Sequence, residues 1–345
     1  MSKSIKLKGI ITKRHIESWP SWDVVFEWED VISDYLKIPI FPLKKSFYRT
    51  ITIEKARGQN FLNAMHALAP IKRTKSSIRE SLFLFFQMNI KDFLPFSHFE
   101  LRSIVPFIID AFIDKDDLNQ INIKYSSCPL IIISSLEVFD FLKTNKSPLN
   151  IVFLPLSISD KYKNKQGRIE KEFDIVLAGR TNPVISKYIN RYLESNSEIE
   201  IVYRKKIENG DFIYFSNKRG EIGSIATRED YMDLLKRARI GVYATPGMGD
   251  EKRTKGMNPV TPRYLELLVS QCHVLALYPK TNETAFFEIE RVSKSLDSYD
   301  LFVRAINDYL NESVDIEKYN SILEKFYTSK RAIELNAIIE NLKVS

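Results

Sequence analysis

Cysteine is scarce in this 345-residue chain: only Cys128 and Cys272 are present, each set in an apolar run. That excludes a disulfide scaffold and cysteine-ligated zinc, and both are read as buried thiols. Histidine is nearly as rare. His15, His66, His98 and His273 share no metal-ligand spacing, so no metal is expected. The longest apolar runs, near Leu82–Met88, Ile104–Ile109 and Pro129–Ile133, fall far short of the ~20 residues of a spanning helix. Met1 to Arg14 mixes Lys and Arg through its apolar residues, unlike a secretory signal, so a cytoplasmic protein is expected. No internal repeat or low-complexity tract appears.

What is present suits a two-domain α/β protein. Hydrophobic residues make up 44% of the chain, enough for two cores at this length. Short apolar runs alternate with longer helical patterns, the grammar of parallel sheets with crossover helices. The first half predicts strands near Ile5–Ile11, Leu82–Gln87, Val105–Ile109, Pro129–Ile133 and Asn150–Leu154, and helices near Asp23–Leu36, Asn60–Leu68 and Leu136–Lys143. The polar, lysine-rich run Asp160–Lys171 predicts a boundary loop. In the second half, strands are predicted at Phe173–Ala178, Ile199–Tyr203, Ile240–Ala244 and His273–Leu277, with a helix over Asp230–Ala238 and helical pattern from Leu301 onward. Most glycines fall in loops of this half, where backbone approaches a ligand most closely.

Lys and Arg outnumber Asp and Glu by 51 to 44, a formal charge of +7, which favours anionic partners. The basic residues are scattered, and no arginine-rich tail, zinc-finger spacing or RNA-recognition signature is visible, so nucleic acid is not expected.

The run Asn258 to Leu277 carries the strongest chemical signal. Thr261 is placed to cap a helix and Pro262 to start it. Arg263 then falls in the first turn, where the helix dipole disfavours a cation by about 0.3–1 kcal/mol and a docked anion reverses that sign. Tyr264 follows, Leu265, Leu268 and Val269 form a buried stripe, and Glu266 lies about one turn beyond Arg263. A ligand with phosphate and sugar hydroxyls suits that pairing. Gly179-Arg180 forms a comparable turn after a predicted strand, with Asn182 and Pro183 as cap and first helical residue. In doubly wound sheets ligands bind at the carboxyl ends of strands, so Gly179, Arg180, Arg204 and Lys205 join the candidates, with Thr245 and Tyr243 as weaker ones. Arg180, Arg204 and Lys205 have the charge to neutralise a diphosphate.

The segment Asn-Pro-Val-Thr-Pro-Arg-Tyr-Leu-Glu-Leu-Leu-Val-Ser-Gln-Cys resembles the donor-binding segment of GT-B glycosyltransferases of the group 1, family 4-like type, known from bacterial surface-polysaccharide biosynthesis. The resemblance implies two Rossmann-like domains facing across a cleft and a C-terminal helix returning to the first. The corresponding boundaries are 1–157, 158–314 and 315–345. It also implies a nucleotide-diphosphate sugar donor, no cofactor and no metal. Thr261 and Arg263 would hold the diphosphate and Glu266 the ribose. The acceptor would be a glycan or lipid-linked glycan, with an anionic membrane surface as a further partner in the lipid-linked case. Asn258 stands where retaining members often carry an acidic residue, and Gln271 where glycine is usual.

An inverting transfer also needs a general base. Asp110, ending a first-half strand, and His15, after the first strand, are the two candidates. Trp19, Trp22 and Trp28 either stack on a sugar acceptor or pack in the core. A rival reading takes Asp114-Lys115-Asp116-Asp117 as the metal-holding Asp-x-Asp of a GT-A enzyme. A third treats the protein as a catalytically silent nucleotide-sugar or glycan binder.

Overall fold

The computed structural model describes residues 5–17, 20–43, 80–163, 167–179, 181–206, 212–249 and 251–342. The chain forms two compact units: residues 1–156 with 328–345, and residues 157–327.

The first unit is built on six strands: β1 (Lys6–Thr12), β2 (Ile40–Pro42), β3 (Ser81–Asn89), β4 (Ile104–Asp110), β5 (Ile131–Ile133) and β6 (Ile151–Phe153). They lie in the order β2-β1-β3-β4-β5-β6, every neighbour parallel. A parallel sheet covered on both faces reads as continuous apolar sequence. β4 fits this, with six of its seven residues buried. The helix Pro20–Leu36 packs on β1, burying Trp22 and Trp28. Trp28 lies 6.2 Å from the Phe86 ring, and Trp22 stacks on Phe26 at 6.0 Å. Both tryptophans are therefore core residues. Trp19 and the predicted helix Asn60–Leu68 lie outside the described residues.

The second unit holds β7 (Phe173–Leu177), β8 (Ile201–Lys206), β9 (Phe212–Ser216), β10 (Gly220–Gly223), β11 (Ala238–Ala244) and β12 (His273–Leu277). Their order is β10-β9-β8-β7-β11-β12, with β9 and β10 antiparallel at one edge. The core gathers Ile175, Ile201, Ile240 and Leu275 from the sheet with Ile189, Tyr192, Phe302 and Ile306 from the helices Pro183–Leu193 and Tyr299–Asn311. β2, β9, β10 and the helix Leu118–Tyr125 had no predicted counterpart.

The expected third segment, 315–345, divides. Ile316–Leu323 stays with the second unit, where the Tyr319 hydroxyl donates to the Cys272 carbonyl at 2.8 Å. The helix Thr328–Glu340 packs on Pro20–Leu36 and on β1 in the first unit. Tyr327 marks the end of the second unit, where it bridges Ile158.

Leu335 and Ile339 of this terminal helix are fully buried. All three tryptophans belong to the first unit, so their fluorescence reports its unfolding alone. Leu335→Ala is expected to destabilise the first unit by about 2–5 kcal/mol, seen as a lower urea midpoint by tryptophan fluorescence. An unshifted midpoint contradicts the assignment of the helix to this unit.

Candidate functional site

In the second sheet the parallel strands run β8-β7-β11-β12, so successive connections leave in opposite directions from β7 and β11. Such a reversal opens a crevice at the carboxyl ends of the two strands, where ligands bind in open α/β sheets. Three segments meet there. The turn after β7 contains Gly179 at φ +72°, and Asn182 caps the following helix, its side-chain oxygen accepting from the Val184 and Ile185 amides at 2.8 and 3.2 Å. The loop after β11 contains Gly249 at φ +96°, beside Asn182 and Pro183. The third segment is the start of the helix Pro262–Val269.

These segments are tied by specific contacts. The Arg263 guanidinium occupies the space a side chain on Gly179 would need. Thr245, fully buried, donates to the Asn258 side-chain oxygen at 2.8 Å, and the Asn258 amide donates to the Gly256 carbonyl at 3.0 Å. The predicted cap differs from expectation. Thr261 holds the cap position and Pro262 begins the helix, yet the Thr261 side chain makes no capping bond. Its backbone N–H donates to the Tyr243 hydroxyl at 3.3 Å instead, which draws the residue toward β11.

Glu266 is buried and bonded at both oxygens. Arg228 reaches one at 2.6 Å and the Tyr231 hydroxyl donates to the other at 3.2 Å, both from the helix Arg228–Arg237. Burial works against the Arg263 charge, but Tyr231, Glu266 and Tyr214 outweigh it and raise its pKa. The Tyr214 hydroxyl is pushed up by burial, while Arg204, a hydrogen bond from the Gly179 backbone and Arg263 pull it down. Burial and then Glu266 push the Tyr231 hydroxyl up as well, which keeps it a neutral donor to Glu266. The result is a knot of two guanidinium groups, one carboxylate and two tyrosines beside the Gly179 turn.

The structure brings together Gly179, Arg263 and Glu266, with Thr261 and Thr245 alongside. Arg204 shares a face with Tyr214, its cross-strand partner. Lys205 lies on the opposite face, its ammonium 5.0 Å from the Phe215 ring centre. Tyr264 is fully buried against Tyr243, with ring centres 5.7 Å apart, and serves the core. Arg180 lies outside the described residues. Arg228, Tyr214 and Tyr231 carried no motif, because their roles arise from tertiary contact. The placement of Arg228 inside a Thr227–Asp230 capping box, as the first helical residue, was the one legible hint.

In the first unit the strand order reverses between β1 and β3. His15 follows β1 and is exposed, its Nε2 at 3.0 Å from the Leu43 carbonyl. Asp110 ends β4, half-buried and in register with Asn89. Further charges cluster at these strand ends. The Lys13 ammonium lies over the Trp22 ring at 4.8 Å, and Lys124 donates to the carbonyls of Ile90 (2.9 Å) and Asp92. Burial lowers Lys124 to about 7 against the attraction of Asp92. The acidic run has another use: Asp114 accepts from the Asp116 and Asp117 amides, Asp117 accepts from the Asp114 amide, and Lys91 pairs with Asp117 at 2.9 Å. It is a capping box, and the fold removes the GT-A reading. Cys272 is fully buried and Cys128 only partly.

No family model and no curated protein matches the sequence. Solved structures do match in three dimensions. An E. coli structure described as trehalose-6-phosphate bound with UDP-2-fluoro glucose is 9% identical, with 99% of this chain and 100% of that one covered at a TM-score of 0.60. The fold is GT-B. An α,α-trehalose-phosphate synthase (UDP-forming) from Burkholderia vietnamiensis is 10% identical over 82% of this chain and 76% of that one, TM-score 0.51. A putative UDP-N-acetylglucosamine 2-epimerase from Listeria monocytogenes is 13% identical over 98% and 96%, TM-score 0.50. A trehalose-phosphate synthase and a putative epimerase thus share this architecture.

Two outcomes follow, one at the Gly179 turn and one at Glu29 in the helix Pro20–Leu36 of the first unit. A side chain at the positive φ of position 179 costs about 1–2 kcal/mol and must also displace the Arg263 guanidinium. Gly179→Ala is therefore expected to lower stability by at least that amount in urea unfolding, and unchanged stability would deny the contact. Burial pushes the Glu29 carboxyl from 4.5 up to about 7, against the opposing pull of Thr12 and Arg14. The folded state then holds the extra proton between those values, so this group's contribution to stability falls as pH rises through that window. Tryptophan-monitored unfolding is expected to lose stability from pH 4.5 to 7 relative to Glu29→Gln; parallel pH profiles contradict this.

Proposed function

We propose that this protein is a glycosyltransferase moving a sugar from a nucleotide-diphosphate sugar to an acceptor hydroxyl, without a metal, in the assembly of a bacterial surface glycan such as O-antigen or capsule. The observation carrying this reading is the seating of Arg263 and the amino end of the Pro262 helix against the Gly179 turn, at the reversal point of the second sheet. Leaving-group departure puts charge on the diphosphate. A helix amino end and a fixed guanidinium are suited to stabilise that charge, and they need not reorganise as it forms.

On this reading Glu266 takes the ribose hydroxyls. Each of its oxygens has one bond in the structure and a second lone pair to accept another. Arg228 and Tyr231 fix the side chain in place for that task. Arg204 lies on the Tyr214 face and adds positive charge for the diphosphate. Asp110 and His15 are the proposed bases, and a lipid-linked acceptor would bring the basic chain to an anionic membrane surface. Among the described residues no helix is long and apolar enough to cross a membrane.

A second reading, a nucleotide-sugar binder without activity, is favoured by Asn258. Its amide is engaged by Thr245 and Gly256, so the position holds two loops together and presents no carboxylate.

Calorimetry with a panel of nucleoside diphosphates and their sugars tests the seat. Arg263→Lys and Arg263→Ala are expected to weaken binding by roughly tenfold or more, the loss of a charge-assisted bond, with Glu266→Gln affecting sugar nucleotides and diphosphates alike. Glu266→Gln is preferred to Ala because it keeps a partner for Arg228; an orphaned buried charge costs about 3–5 kcal/mol. Undiminished affinity in folded Arg263 variants discards the assignment. Release of nucleoside diphosphate with candidate acceptors separates transferase from silent binder.

A further inference from the structure

The amino-terminal ends of β7, β11 and β12 carry a feature that donor binding does not use. A cavity of about 360 Å³ opens there, lined by Arg168, Lys171, Arg239, Gln271, His273 and Glu312 among others. Lys171 precedes β7, Arg239 is the second residue of β11 and His273 the first of β12. This is the opposite end of the sheet from the Gly179 turn.

The bonding of these cations is unusual for the region. Lys171 donates to the Lys236 and Ser270 carbonyls at 2.9 and 2.7 Å, Arg168 to the Ser313 hydroxyl at 2.9 Å, and Arg239 to the Leu310 carbonyl. Every one of these acceptors is neutral. Among the described residues no carboxylate pairs with any of the three, whereas nearby Arg219 and Arg237 both pair with Glu172 at 2.5 Å. Glu312, the one acidic residue of the lining, is exposed, and its backbone carbonyl lies 3.1 Å from His273 Nε2. Gln271, at φ +53°, accepts from the Ile169 amide at 3.0 Å and donates to the Gly167 carbonyl at 3.0 Å, holding Arg168's segment at the rim.

We propose that this cavity is a second anion site, which binds a small phosphorylated molecule. Three like charges held around one volume repel, and a phosphate dianion turns that repulsion into attraction. Their side chains are already fixed by neutral acceptors, so little ordering is left for binding. The volume falls within the range of about 300–1,000 Å³ typical of small-molecule pockets. His273 provides a local reporter, since burial and the nearby Lys171 and Arg239 lower its pKa, and a bound dianion would raise it.

The test is imidazole NMR of the full chain, with the His273 resonances assigned by their loss in His273→Gln. Titration with inorganic phosphate, then with a hexose phosphate, is expected to move those resonances saturably, while the uncharged hexose does not. Arg168→Ala and Arg239→Ala are each expected to weaken the effect by roughly tenfold or more. Arg168 is exposed, so its variant keeps the test independent of folding, and the readout is blind to the donor seat. No saturable shift, an unaltered titration in both variants, or a response only to vesicles containing phosphatidic acid overturns the proposal.

Discussion

The second unit is organised by what Gly179 lacks. With no β-carbon and a left-handed backbone, the turn after β7 lets the Arg263 guanidinium lie directly against the chain. That contact brings a helix from just before β12 to the carboxyl end of β7, two strands away in the sheet order. The rest of the knot follows. Arg263 is held charged by Tyr231, Glu266 and Tyr214; Glu266 is in turn fixed by Arg228, and Tyr214 by the Gly179 backbone. A cation in the first turn of a helix is locally unfavourable, and here one carboxylate and two tyrosines offset that cost.

Much of the fold was legible because its strands are buried on both faces. His273–Leu277 appeared with its limits intact, and β3, β4, β7 and β11 within a few residues, since apolar runs of that length have few other uses. The antiparallel pair at one margin of the second sheet was not. β9 and β10 pair antiparallel and are partly exposed, and Gly220–Gly223 has nothing in its composition to mark a strand. The terminal segment 315–345 was read as one piece, because helical periodicity cannot say which surface each helix covers. Burial of Leu335 and Ile339 against one unit, and of Tyr319 in the other, decides that.

The candidate site was legible where a local signal existed. Gly179, Asn182, Pro262, Arg263 and Glu266 announce turns, caps and a first-turn cation within a few residues of sequence. Arg228 and Tyr231 do not, because they meet Glu266 from more than 30 residues away, and only folding reveals them. Thr261 illustrates the converse. Its position was right and its bond was not, since Tyr243 engages it from the neighbouring strand.

On the proposed reading, the amino end of the Pro262 helix seats a diphosphate. A crystal structure of the full chain with a bound nucleoside diphosphate is the decisive measurement. The β-phosphate is expected within hydrogen-bonding distance of the Arg263 guanidinium and the first amides of that helix, with the ribose at Glu266. A diphosphate bound elsewhere, with the helix start covered by the protein's own side chains, contradicts it.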